Sequence, residues 1–196
     1  MNESLRKRVL TAVVLAAALL VILLWLPPWA TVVVVTAMLL AGAWEWSGFL
    51  RLSTAARRLP YVALVALLLP LAWIVSADPA NRDRILVAAV LWWLTALLWI
   101  AFAPRRVTPW AAGVAGILAL VPAWLALVWL RYASPPHGQW VLFTLILVWV
   151  ADIGAFFFGR RYGRVRLAPV VSPGKTWEGV FGGMALSALV ALGGSA

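Results

Sequence analysis

Three carboxylates and one lysine stand apart in this sequence. Glu45, Asp152 and Glu178 lie in or beside long apolar runs, and Lys175 sits in Ser172-Pro173-Gly174-Lys175-Thr176. The other acids, Glu3, Asp78 and Asp83, fall in loop or terminal positions. A carboxylate at the centre of a lipid-facing helix costs about 2.5–3.5 kcal/mol on insertion scales, so such groups usually face a bundle interior or a wet cavity. Asp152 reads either as a polar packing group bonded to a neighbouring helix or as a site residue, and function is the favoured reading. Glu45, in Trp44-Glu45-Trp46, suits an interfacial anchor or a helix–helix ion pair as well as a site. Glu178 complements a helix dipole in a first turn as readily as it serves a site.

The stretch 159–176 is the longest basic loop and carries Arg160, Arg161, Arg164, Arg166 and Lys175. Ser is a preferred N-cap and Pro suits the first helical position, so a helix is predicted to begin near Ser172. Free N–H groups there, with the Lys175 ammonium nearby, make an anion site for which phosphate is the natural guest. Carboxylates beside bound phosphate commonly hold a divalent metal, and Mg²⁺ takes one or two carboxylates plus phosphate oxygens. The expected chemistry is phosphoryl or nucleotidyl transfer to a lipid. A P-loop is excluded, because the glycine required five positions before Gly174 is Pro169 and no strand precedes it. Gly179 and Gly183 have the small-xxx-small spacing of close helix packing. His137 reads as an exposed loop residue. With no Cys and one His, thiol chemistry and multi-histidine metal sites are excluded.

The elements that must position these groups are transmembrane helices. Hydrophobic residues make up 65% of the 196 and charged residues 11%, which leaves too little polar surface for a soluble domain. Apolar runs of roughly 20 residues predict seven spans: 9–26, 29–50, 59–77, 85–103, 110–132, 139–158 and 177–196. The fold class is all-α, a polytopic transmembrane bundle forming a single domain over 1–196. The basic residues cluster at Arg6-Lys7-Arg8, Arg51 with Arg57 and Arg58, Arg105-Arg106, and the loop before Lys175, while Arg82, Arg84 and Arg131 lie on the other side. This asymmetry puts the N-terminus in the cytoplasm, and the net charge of +10 implies no nucleic-acid partner. Glu45, Asp152 and Glu178 then lie at similar depth on the cytoplasmic side, the first two roughly 8–9 Å inside. The last span ends without a polar tail, so the chain is expected to be a fragment of a longer protein.

The run Val148-Trp149-Val150-Ala151-Asp152-Ile153-Gly154-Ala155-Phe156, then Gly159-Arg160-Arg161-Tyr162-Gly163, Leu167-Ala168-Pro169 and Ser172 to Gly179, closely resembles bacterial phosphatidate cytidylyltransferase. Ala43-Trp44-Glu45-Trp46 and the basic start resemble that family too. The resemblance covers essentially the whole chain and is most specific over 148–183. It implies that CTP and phosphatidic acid give CDP-diacylglycerol and pyrophosphate, with Mg²⁺, at the inner cell membrane. On this resemblance Asp152 and Lys175 are the catalytic candidates, and Asp152 orients substrate or binds metal. Ser172, Gly174, Thr176, Glu178, Arg160, Arg164 and Glu45 are the substrate-binding candidates. Expected partners are CTP, phosphatidic acid and membrane lipids, with a homodimer left open. The family continues into a Gly-His-Gly-Gly and an Asp-Arg-x-Asp element that supply metal-binding acids. Neither occurs here, so the chain alone is expected to be inactive. The alternatives are a CTP-dependent lipid or polyprenol kinase, an inactive membrane fragment and, ranked lower, a transporter.

Overall fold

The computed structural model describes residues 3–102, 107–133, 138–169 and 171–194, for residues 3–9, 12, 15 and 101 the backbone only. Arg105, Arg106, His137 and the terminal Ser195-Ala196 lie outside the described residues, as do the Arg6-Lys7-Arg8 side chains. Seven α-helices occur among them: α1 (Glu3–Leu24), α2 (Pro28–Trp46), α3 (Ala55–Val75), α4 (Pro79–Phe102), α5 (Pro109–Ala133), α6 (Gln139–Tyr162) and α7 (Trp177–Gly193). Five of them, α2 to α6, are long and apolar enough to cross a membrane, α2 with its terminal turn included; α7, at 17 residues, is shorter. The prediction of seven spans thus holds as seven helices, of which five meet the length and hydropathy of a span. The chain is an all-α, multi-pass membrane protein.

Helix starts follow local chemistry. Pro28 and Pro109 open α2 and α5, where a missing N–H costs nothing. The second predicted span ends differently from expectation. α2 stops at Trp46, and a tight 3₁₀ turn over Ser47–Leu50 leads to Arg51, in the left-handed region at φ 59°. Pro60 and Pro70 lie inside α3 and Pro122 inside α5, tolerated where neighbouring helices re-satisfy the freed carbonyls.

The core lies between α2, α3 and α5. Ala43, Tyr61, Val65, Leu69, Val121, Trp124, Leu125 and Val128 form it. Its polar atoms are matched across helices: the Tyr61 hydroxyl donates to Gly113 O at 3.1 Å, Trp124 Nε1 to Thr36 Oγ1 at 2.8 Å, and Trp129 Nε1 to Ser76 Oγ at 2.8 Å. In a lipid medium an unmatched indole N–H or hydroxyl would be costly, which is why each meets a partner. Among the described residues none of α4 is buried, and its outward face carries Leu91, Leu94, Leu97 and Leu98.

Arg131, assigned with Arg82 and Arg84 to the side away from the basic loops, is only 2% exposed, a burial that charge counting does not address. Its guanidinium donates from Nε to Thr31 Oγ1 and from Nη2 to the Leu26 carbonyl, each at 3.2 Å. It thereby ties the end of α5 to the turn between α1 and α2.

Helices α6 and α7 form a closely packed antiparallel pair. A Cβ on Gly183 would come within 2.6 Å of the Ala151 carbonyl oxygen, and one on Gly154 within 2.9 Å of the Gly182 carbonyl oxygen. Only hydrogen fits at such crossings, so the expected packing role of Gly179 and Gly183 is what the backbone shows.

Candidate functional site

Between α6 and α7 the basic loop folds into a small antiparallel hairpin, β1 (Arg166–Ala168) and β2 (Ser172–Thr176), paired Arg166↔Thr176 and Ala168↔Ser172. This corrects the predicted helix start. Ser172 and Pro173 are extended, and the helix begins at Trp177, with Thr176 as its N-cap accepting from Gly179 N at 3.2 Å. The physical reason is pairing. The strand satisfies the backbone across the hairpin, Gly174 disfavours helix, and the Thr176 hydroxyl supplies a cap that Ser172 does not. The Arg166 guanidinium also donates to the Pro173 carbonyl, and Trp177 N donates to Val165 O at 3.0 Å, closing the hairpin onto α7.

The hairpin, one face of α6 and the first turns of α7 enclose a cleft of about 700 Å³. α6 contributes Ala155, Phe156, Gly159 and Arg160; the hairpin contributes Leu167, Ser172, Gly174, Lys175 and Thr176; α7 contributes Gly179 and Val180. Two cations, Arg160 and Lys175, therefore share one open cleft with the hydroxyl residues Ser172 and Thr176. Lys175 and Arg160 are both exposed. Such a surface can take a multiply charged phosphate and hold it by charge-assisted hydrogen bonds.

Five of the nine candidates are brought together here: Arg160, Ser172, Gly174, Lys175 and Thr176. Asp152 does not line the cleft but lies on the same helical face, one turn before Phe156 and two before Arg160. Its side chain is exposed, and among the described residues no partner is bonded to it. Because α6 runs past the expected boundary to Tyr162, Asp152 stands roughly 15 Å along the axis from the helix end. Glu45 does not line the cleft; it is next to last in α2 and exposed, with Arg58 over the neighbouring Trp44 ring at 5.6 Å.

Glu178 has a specific local task. Its carboxylate oxygens accept from Val165 N at 3.2 and 3.3 Å, pinning the entry of the hairpin to the first turn of α7. Hydrogen bonds from its own backbone N–H and from those of Arg164 and Val165, with the Arg164 charge, hold this carboxyl below the usual carboxylate range. Desolvation opposes that shift and is outweighed. Arg164 acts through its backbone at Glu178 and lies outside the cleft lining.

Sequence reasoning passed over Ala155, Phe156 and Gly159 as lining residues. The signal was available: positions three, four and seven beyond Asp152 share its helical face. Among the described residues no group of three or more His, Asp or Glu side chains could hold a metal ion. The cleft lining itself carries no carboxylate, and Asp152, on the same face of α6 one turn before Phe156, is the acid nearest to it along that helix.

The cytidylyltransferase family model matches residues 6–195 of the chain. The phosphatidate cytidylyltransferase of Pseudomonas aeruginosa is 35% identical over 186 residues, covering 92% of this chain and 67% of the relative. That of Haemophilus influenzae is 33% identical over 204 residues, covering 95% of this chain and 70% of the relative. A Staphylococcus epidermidis phosphatidate cytidylyltransferase is 47% identical over 62 residues, 31% of this chain and 24% of the relative. No solved structure matches the chain. A match over nearly the full length, with relatives above 30% identity across two thirds of their own chains, places this protein in the cytidylyltransferase family, and makes it by that membership a nucleotidyltransferase.

Proposed function

We propose that this protein transfers the cytidylyl group of CTP to phosphatidic acid, releasing pyrophosphate and leaving CDP-diacylglycerol in the membrane. The observation that carries the proposal is the cleft itself. Arg160 and Lys175 line it from two different elements, at the end of an apolar helix pair. That is where a soluble nucleotide triphosphate and a membrane-held phosphate can meet. The curated relatives named for this reaction supply the nucleotide and the lipid.

In the proposed reaction an oxygen of the lipid phosphate attacks the α-phosphorus of CTP. A new P–O bond forms, the bond between the α- and β-phosphates breaks, and the electron pair leaves with pyrophosphate. Lys175 and Arg160 bind phosphate oxygens and offset charge that would otherwise keep two anions apart. Positioning and charge neutralisation thus supply most of the rate. Mg²⁺, when bound, would neutralise triphosphate charge, and Asp152 is the residue of this chain that would help hold it. The basic loops face the cytoplasm in this reading, as charge asymmetry directs, which puts the cleft on the CTP side of the inner membrane.

The test uses membranes from cells expressing the gene, supplied with phosphatidic acid and CTP labelled in the cytidine. Label appearing in lipid supports the proposal. Label remaining in soluble CDP, with the γ-phosphate transferred to lipid, assigns a CTP-dependent lipid kinase instead.

A further inference from the structure

A second cavity, of about 310 Å³, lies between α4 and α5 and is lined by Trp46, Trp92, Trp93, Trp99, Ala115 and Val171 among others. We propose that it holds one acyl chain of the lipid substrate, as the apolar half of a two-part lipid site. The proposal rests on the phosphatidate reading above.

Three observations support it. First, the groove is shaped as a slot. Ala111, Ala115 and Ala119 repeat every turn along α5, and their short side chains leave open the space that the indole rings of α4 wall off. Trp46 is fixed as the inner wall by a 2.7 Å bond from its Nε1 to the Ala112 carbonyl.

Second, the slot has the reach of a chain in one leaflet. Its α4 residues run from Trp92 to Ile100, roughly 12 Å of helix, against the roughly 15 Å half-thickness of a bilayer hydrocarbon core. It lies toward the end of α4 and the start of α5, the ends flanking the basic 105–106 loop.

Third, the slot and the cationic cleft share a wall. Val171 lines the apolar slot, while Ser172, the next residue, lines the cleft. A lipid with its phosphate beside Lys175 would cross the hairpin at its glycerol and lay a chain against Val171 and the tryptophans. The two cavities match the two chemistries of one molecule, an anionic head and an apolar tail. Lipid tails are as apolar as the groove, so the slot adds little affinity over the bilayer. What it adds is orientation of the head group, which matters more than affinity when two anions must meet in register.

The test is photolabelling of the protein in phosphatidylcholine nanodiscs. The probes are a phosphatidate and a phosphatidylcholine, each carrying a diazirine midway along one acyl chain, with cross-linked peptides read by mass spectrometry. The expected result is labelling at Trp92, Trp93, Trp99 and Ala115 about ten-fold stronger for phosphatidate, a difference of affinities set by the cleft. A115W should remove that excess while phosphatidylcholine labelling of the outer face of α4 persists. Should A115W not fold, A115L gives a partial loss. Equal labelling by both probes overturns the proposal and makes the slot ordinary lipid-facing surface. Unchanged phosphatidate labelling in A115W, or in A115L where it stands in, also overturns it, as does absence of label with groove-to-groove cross-links between two copies. Cytidine transfer, measured separately, keeps the two readings apart. Selective labelling without transfer removes the reaction and leaves the lipid site; transfer without selective labelling does the reverse.

Discussion

Gly159 and Gly179 meet where α6 crosses α7: a Cβ on Gly179 would stand 3.3 Å from Gly159 Cα, with Thr176 Oγ1 at the same distance. The cleft therefore opens at a point where two backbones touch and the N-cap of α7 is seated. Further along the same seam, Gly183 faces the Ala151 carbonyl. G183A would force a methyl to 2.6 Å from that oxygen, and backbone has no rotamer by which to yield. The expected cost is about 1–3 kcal/mol, as for overpacked cores. A lowered unfolding temperature in detergent would show it, whereas G42A, with open space around its Cβ, should be close to neutral.

Lys175 lines the cleft from the hairpin without an ion-pair partner among the described residues. K175M should lower cytidine incorporation into lipid by about 10- to 100-fold, the scale of one charged hydrogen bond of about 1.5–3 kcal/mol. K175R should recover part of it, since the charge remains but the geometry changes. Initial rates over a range of CTP concentrations check both. Unchanged rates in K175M would remove the lysine from the phosphate site.

The Glu178 carboxyl is held below its ordinary value of 4.5, chiefly by backbone N–H donors. A group whose folded pKa is depressed contributes fully above the unfolded value and loses that contribution as pH falls through the folded one. The anchorage of the hairpin to α7 should thus be complete at neutral pH and weaken only below about 4.5. Protection of the Val165 amide, corrected for intrinsic exchange, should fall over that window in the native protein. In E178Q it should be low at neutral pH and no longer vary with acidity.

Arg131 is buried with two bonds to oxygen acceptors. R131M keeps the volume but strands Thr31 Oγ1 and the Leu26 carbonyl, at about 1–3 kcal/mol for unsatisfied buried groups. Thermal unfolding should register the loss. CTP binding should not, since Arg131 lies at the end of α5 opposite the start that adjoins the basic 105–106 loop.

The helices were readable because their signal is coarse: long apolar runs punctuated by Pro and charge. The hairpin was not. Ser172-Pro173 carries the local mark of a helix start, and only the pairing of Ser172 with Ala168 and of Thr176 with Arg166 overrides it, a contact that no local pattern encodes. Thr176 with Glu178 two residues on was the better helix-start mark, masked by the stronger proline signal upstream. The burial of Arg131 was not legible for a related reason. Charge counting assigns sides of a membrane, but burial depends on what the opposite helices offer, here Thr31 and a free carbonyl. Lys175, Ser172 and Arg160 were legible as a group because they fall in one basic stretch, 159–176, between two apolar runs.

The seam between α6 and α7 sets how this site responds to its surroundings. Close backbone approaches at Gly154, Gly179 and Gly183, with the Phe158 side chain seated on Gly182, resist independent shear of the two helices. A bilayer that thickens or thins tilts them to keep apolar length matched. With the pair locked, such a tilt carries the hairpin and Lys175 along as one piece. Changes in lipid composition would then reorient the cleft relative to the membrane plane without altering the distances inside it.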